Sequence, residues 1–286
     1  MANQSLGVMV WWASLCAVSI VNIALWVTAA RQVLRRDRED AVLRRRLIVL
    51  SAMFVFGCAF RSWFPRVEGE RFCLYDSWIS GAAIARSIAT VAELSLVAQW
   101  TLLLARWAKE ERSRVVAIVA RLLLPAIAVA ETFSWYTTLT TNFFGSVIEE
   151  SLWAATASLM TLALVSLFPR SAGARRRFIG IAIVLNAAYV VFMCTVDVPM
   201  YALRWRRDQA RGAHYLSVPE GVADAFQRRI VTRRWLDWKQ EIPWMSLYFS
   251  AGVSISISLV RAPLRAPAAS EEKLAVEVAD ERAVTS

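Results

Sequence analysis

The sequence predicts an all-α polytopic membrane protein. It reads as a bundle of seven transmembrane helices with the N-terminus outside, the C-terminus cytoplasmic and an amphipathic helix in a long outer loop. Three observations carry this reading. Of the 286 residues, 57% are hydrophobic, more than the roughly 45 to 50% usual in a soluble domain. The apolar residues come in blocks of about 20, the length that crosses a hydrocarbon core. The basic residues gather between those blocks and alternate in density from one loop to the next, as the positive-inside rule requires.

The blocks run over residues 8–30, 47–64, 78–104, 115–136, 143–168, 178–201 and 242–260. The first is too long for the apolar part of a signal peptide. Arg31, Arg35, Arg36 and Arg38 follow it as a stop-transfer pattern, so it is expected to stay in the protein as a helix. Segment 31–46 carries seven arginines, and segments 105–114 and 169–177 carry four basic residues each, whereas segment 65–77 carries two and the turn at 137–142 none. The three basic segments therefore share the cytoplasmic side. Tryptophan agrees: Trp11, Trp12, Trp63, Trp78, Trp135, Trp205, Trp235, Trp238 and Trp244 fall near the outer face, against Trp26, Trp100 and Trp107 near the inner one. Indole settles at an interface because its ring is apolar and its N–H needs a partner.

The loop 202–241 runs against the pattern, with nine basic residues on the outer side. Within it Pro219 can open a helix that places Val222, Phe226 and Ile230 on one side and arginines on much of the rest. Such a helix would rest on outer-leaflet headgroups or attract an anionic partner. Residues 1–261 form one transmembrane domain on this reading. From 262 to 286 the chain turns to Ala, Pro, Glu and Arg and reads as a disordered cytoplasmic tail, too short for a signalling domain.

Composition excludes several chemistries. With His214 as the single histidine, there is no ligand set for an ordinary zinc site or a bis-histidine haem, and no base for a Ser-His-Asp triad. Metal ligands are not expected, and the cofactor stays open. The net charge of +10 lies between apolar blocks and not along a soluble face, which argues against nucleic acid. Cys16 reads as a small core residue, while Cys58, Cys73 and Cys194 fall near one membrane face, where a disulfide could join two of them. Ser246, Ser250, Ser254 and Ser258 repeat every four residues, a small-residue stripe that lets helices approach closely.

The informative residues are charges inside apolar blocks, because each costs several kcal/mol in lipid unless paired or hydrated. They are Arg61, Arg86, Glu93, Arg121, Glu131, Glu149, Glu150 and Asp197, and all but Arg121 fall in the outer half or near the midplane. Arg86, Thr90 and Glu93 share one helix face, as do Glu131, Trp135 and Thr138. Asn142, Ser146, Glu149, Trp153 and Thr156 form a stripe on the fifth helix, with Glu150 about 100° away. Asn186, Met193 and Asp197 share a face of the sixth, and Pro125 and Pro199 mark expected irregularities.

A seven-helix bundle with an outer N-terminus resembles the rhodopsin architecture, but the seventh block has no lysine for a retinal Schiff base. Glu149–Glu150 is similar to the start of the Glu-Glu-x-x-x-Arg motif of membrane CAAX-type proteases, yet Ala154 stands at the arginine position. Neither resemblance implies membership. The faces together predict an outward-facing acidic pocket in a multi-pass inner-membrane protein, one that binds or transports a small polar or cationic molecule or protons. Glu93, Glu131, Glu149, Glu150, Asp197, Asn142 and Asn186 would face the ligand, Trp153 would stack on it, and Arg61 and Arg86 would tune the acids. The alternatives are a carboxylate- or metal-dependent enzyme acting on a lipid and an accessory membrane subunit.

Overall fold

The computed structural model describes residues 2–36 and 40–264. The chain is mostly helical, and six helices are long and apolar enough to cross a membrane: Ser5–Arg35, Ala82–Glu110, Arg114–Thr140, Phe144–Arg170, Gly173–Ala210 and Ile242–Val260. The second predicted block lies in α2 (Ala41–Trp63), which is helical throughout but carries Arg44, Arg45, Arg46 and Arg61 and is not among the six. Together with α1 (Ala2–Arg36), α3 (Ala82–Glu110), α4 (Arg114–Thr140), α5 (Phe144–Leu167) and α6 (Gly173–Phe192), it packs in sequence order, each helix against the next. The last helical segment returns to α1 and α2 and closes the bundle.

Local chemistry sets the helix ends. Ser113 accepts a hydrogen bond from the Val116 amide at the start of α4. At its end Thr141 takes a left-handed φ of 61° and its N–H returns to the Thr137 carbonyl. Pro125 sits inside α4 without ending it. The sixth block extends further than predicted. A π turn at Met193–Asp197 joins α6 to α7 (Val198–Ala210), so residues 202–210, expected in a loop, are helical.

A helix, α8 (Val218–Gln227), lies within the 202–241 segment, with Pro219 in its first turn and the Ser217 amide donating to Glu220 at 2.9 Å. Its small residues Gly221 and Ala225 are buried, while Val222 and Phe226 are exposed. Ile230 leaves the helix and pairs in β3 (Ile230–Val231), parallel to β2 (Phe72–Cys73), which is antiparallel to β1 (Arg66–Val67). Two short helices, α9 (Trp235–Trp238) and α10 (Ile242–Leu247), lead through a second π turn, Tyr248–Gly252, into α11 (Val253–Val260).

That second π turn corrects the serine stripe. Its extra residue per turn rotates the helix, so Ser254 and Ser258 face outward while Ser256 is buried, donating to Gln99 Oε1 at 2.7 Å and accepting from the Ser51 hydroxyl at 3.0 Å. Close approach occurs instead at Gly57 of α2, where a Cβ would lie 2.9 Å from that of Ala92 in α3. All four cysteines are free thiols, so the suggested disulfide does not form. Ala262 and Leu264, assigned to the tail, are buried: the Ala262 carbonyl accepts from Arg44 at 2.9 Å and that of Pro263 from Trp107 at 3.1 Å. The rest of the predicted tail, residues 265–286, lies outside the described residues.

The two largest apolar clusters make up most of the core. The larger joins α3, α4, α5 and α6 around Trp107, Leu123 and Leu164, and the other joins α1, α2 and the last helical segment around Phe54, Trp238 and Phe249. Large apolar side chains such as Ile20, Ile181 and Val184 point away from the bundle. Between the clusters, at the end that carries the β-strands and α8, lies a polar cavity.

Candidate functional site

The cavity measures about 90 Å³ and is lined by side chains from α2 to α5, α7, the 65–77 segment and the start of the last helical segment. Its centre is Arg86 of α3. One guanidinium nitrogen, Nη2, lies 2.8 Å from Glu93 and 3.2 Å from Glu131, and the other, Nη1, lies 2.5 Å from Ser134 Oγ and 3.5 Å from Glu149. All four side chains are buried. Helical spacing explains the convergence: Arg86 and Glu93 share the inward face of α3, Glu131 and Ser134 that of α4, and Glu149 that of α5. Thr90 donates to Glu131 and itself accepts from Trp135 Nε1 at 3.1 Å, while the Tyr248 hydroxyl donates to Glu93 at 3.3 Å. The second oxygen of Glu131 has no partner among the described residues.

Glu93, Glu131 and Glu149 each offer one oxygen within 4.8 Å of the others, a spacing that a metal ion could bridge. Arg86 already contacts all three, however, so a metal there would have to displace a buried guanidinium.

Two further arginines border the cavity. Arg61 of α2 pairs with Glu68 at 2.7 Å and stands about 6.0 Å from the Trp244 ring. Arg204 of α7 joins Glu70 at 2.9 Å and Glu241 at 2.5 Å and lies against the rings of Tyr201 and Phe143. Trp244 Nε1 donates to the other Glu241 oxygen. Burial, countered in part by Arg204 and reinforced by Glu241, pushes the Glu70 carboxyl up to about 7. Glu150 and Asp197 also line the cavity, and among the described residues neither side chain has a hydrogen bond or an ion pair.

Seven of the ten predicted site residues therefore meet around this space: Arg61, Arg86, Glu93, Glu131, Glu149, Glu150 and Asp197. Three do not. Asn142 shapes the turn before α5, where its Oδ1 accepts from the Phe144 amide at 3.0 Å. Asn186 binds the Ala157 carbonyl and Thr161 on α5, eleven residues and about 16 Å of helix rise from Asp197. Trp153 lies one turn below Glu149 and packs against the larger apolar cluster. Arg121 points outward from α4.

The residues that sequence reasoning missed are Glu68, Glu70, Arg204, Glu241, Trp244 and Tyr248. The first four lie outside the apolar blocks, where a charge gives no sign of burial. Arg204 was one of the nine anomalous basic residues of the 202–241 segment, and three others, Arg228, Arg229 and Arg234, are paired with Asp224, Asp76 and Asp237.

No family model, no curated protein and no solved structure matches this chain.

Proposed function

We propose that this is a seven-span membrane protein whose acidic cavity opens to the outer side and binds or transports a small polar or cationic molecule or protons. One observation carries the reading. Seven carboxylates line the cavity against three guanidiniums, a formal excess of four negative charges in a space of about 90 Å³. Removing that much charge from bulk water is costly unless protons, water or a cation offset it.

The topology rests on α2. It holds 23 residues, about 34 Å of helix, and packs between α1 and α3, so it fits as the seventh crossing. An odd number of crossings puts the termini on opposite sides, and the Arg-rich turns then face the cytoplasm of a cell (inner) membrane. The exposed Val222 and Phe226 of α8 would dip into the outer leaflet, and the exposed Arg206, Arg207 and Arg211, which form no ion pair among the described residues, would meet its headgroups.

The test is charge removal without loss of shape. Glu149→Gln and Glu131→Gln should abolish cation-dependent or proton-dependent uptake in proteoliposomes while leaving the helical circular-dichroism spectrum intact. Folded variants with wild-type uptake would overturn the reading.

A further inference from the structure

We propose that the cavity takes a small inorganic cation, held directly by the carboxylates of Glu150 and Asp197; this rests on the cation-binding reading above and narrows it. Every other cavity carboxylate has an arginine: Glu68 has Arg61, Glu93 and Glu149 have Arg86, and Glu70 and Glu241 have Arg204. Among the described residues Asp197 pairs with none, although it is only 7% exposed, and neither does Glu150. Two carboxylates that form no direct ion pair among the described residues thus face one shared space, with Arg204 and Arg86 acting on them only from a distance, and the proximity of the paired acids adds to their demand for positive charge.

Size and surface choose the class of cation. About 90 Å³ holds roughly three water molecules, far below the roughly 300 Å³ at which pockets for organic ligands begin. An organic ammonium would seek an aromatic face, but Arg204 covers Phe143 and Tyr201 at 5.7 and 5.4 Å, and Arg61 stands 6.0 Å from Trp244. A magnesium ion keeps most of its waters and would overfill the space. A sodium or calcium ion accepts carboxylate oxygens directly and completes its shell with the few waters that fit.

The experiment measures thermal unfolding of the purified full chain in mild detergent. Sodium, calcium or tetramethylammonium chloride is added at fixed ionic strength set by N-methylglucamine. Sodium or calcium should raise the midpoint by about 5 °C at a hundredfold excess over its Kd, and whichever does so identifies the ion. The rise should vanish in Glu150→Gln and Asp197→Asn and persist in the remote variant Asp76→Asn. Should the amides fail to fold, Glu150→Asp and Asp197→Glu keep the charge and should weaken the response at least tenfold in concentration. A rise in the amide variants equal to wild type would overturn the assignment of these residues. An equal rise with tetramethylammonium would overturn the inorganic class and leave the cation reading standing. Absence of any cation response, with acid-driven proton uptake lost in both amide variants, would replace the ion by a proton. Absence of both responses would overturn this inference and the broader reading together.

Discussion

Arg86 and Glu93 form an ion pair of 2.8 Å although they stand seven residues apart on one helix. Seven residues are two turns, about 10.5 Å of rise, so both side chains must lie along the helix and reach toward each other. They reach because bulk water is out of range: both are more than nine-tenths buried. The same guanidinium then gathers Glu131 and Glu149 from the two neighbouring helices. One cation thereby joins α3, α4 and α5 at the level of the cavity.

Arg86→Met should destabilise the protein by about 3 to 5 kcal/mol, because it leaves three buried carboxylates without their counter-ion. Denaturant unfolding in detergent reads this directly. A variant as stable as wild type would show that the acids are neutral without Arg86.

Glu70, which lines the cavity, should give a pH-dependent stability. In the unfolded chain Glu70 titrates near the ordinary glutamate value of 4.5, and in the folded protein at about 7. Between these values the folded state binds more protons, so this carboxyl lowers stability as pH rises from about 4.5 to 7. Glu70→Gln should remove that slope. The midpoint of thermal unfolding for wild type minus that for the variant, followed across the window, should fall with pH, and a constant difference would refute the assignment.

Gly221 should not tolerate alanine. An added Cβ would come within 1.9 Å of the Leu139 carbonyl oxygen, a backbone atom that cannot swing aside. Gly221→Ala should lift α8 from α3 and α4, cost at least 1 to 3 kcal/mol on the scale of overpacked cores and expose segment 202–241 to protease. Gly252→Ala is the control, since its nearest neighbour would be the Phe54 ring at an ordinary 3.8 Å.

The threading is testable with single cysteines in a background lacking the native four. Ala213 is exposed in the 202–241 segment. Ala213→Cys should react with a membrane-impermeant maleimide on intact cells, and Lys109→Cys only after permeabilisation. The reverse pattern would invert the orientation.

Much of the bundle was legible in the chain. Apolar blocks and Arg-rich turns are local features, and the structure's long helices fall where those features lie, with α2 set apart by its arginines. The acids of α3, α4 and α5 were legible for the same reason: a charge in an apolar block must turn inward, and 3.6-residue periodicity states which of its neighbours turn with it.

Periodicity also explains where the structure departs from the expected arrangement. Asn142, Trp153 and Asn186 share faces with site residues but differ from them in depth, and a stripe along a helix does not say where a cavity stops. The π turns at Met193–Asp197 and Tyr248–Gly252 shift the register within a single turn, which sent Ser254 and Ser258 outward against the four-residue pattern.

Helix positions and inward charges thus follow from the order of residues, because burial of an apolar face and hydrogen bonding of the backbone act over neighbours in the chain. Which charges neutralise one another does not. Glu70, Arg204 and Glu241 are separated by up to 171 positions, and only packing brings them within 2.9 Å. The same packing leaves Glu150 and Asp197 without a direct ion pair among the described residues. Coulomb energy depends on distance in space, and for these side chains that distance is settled by the fold.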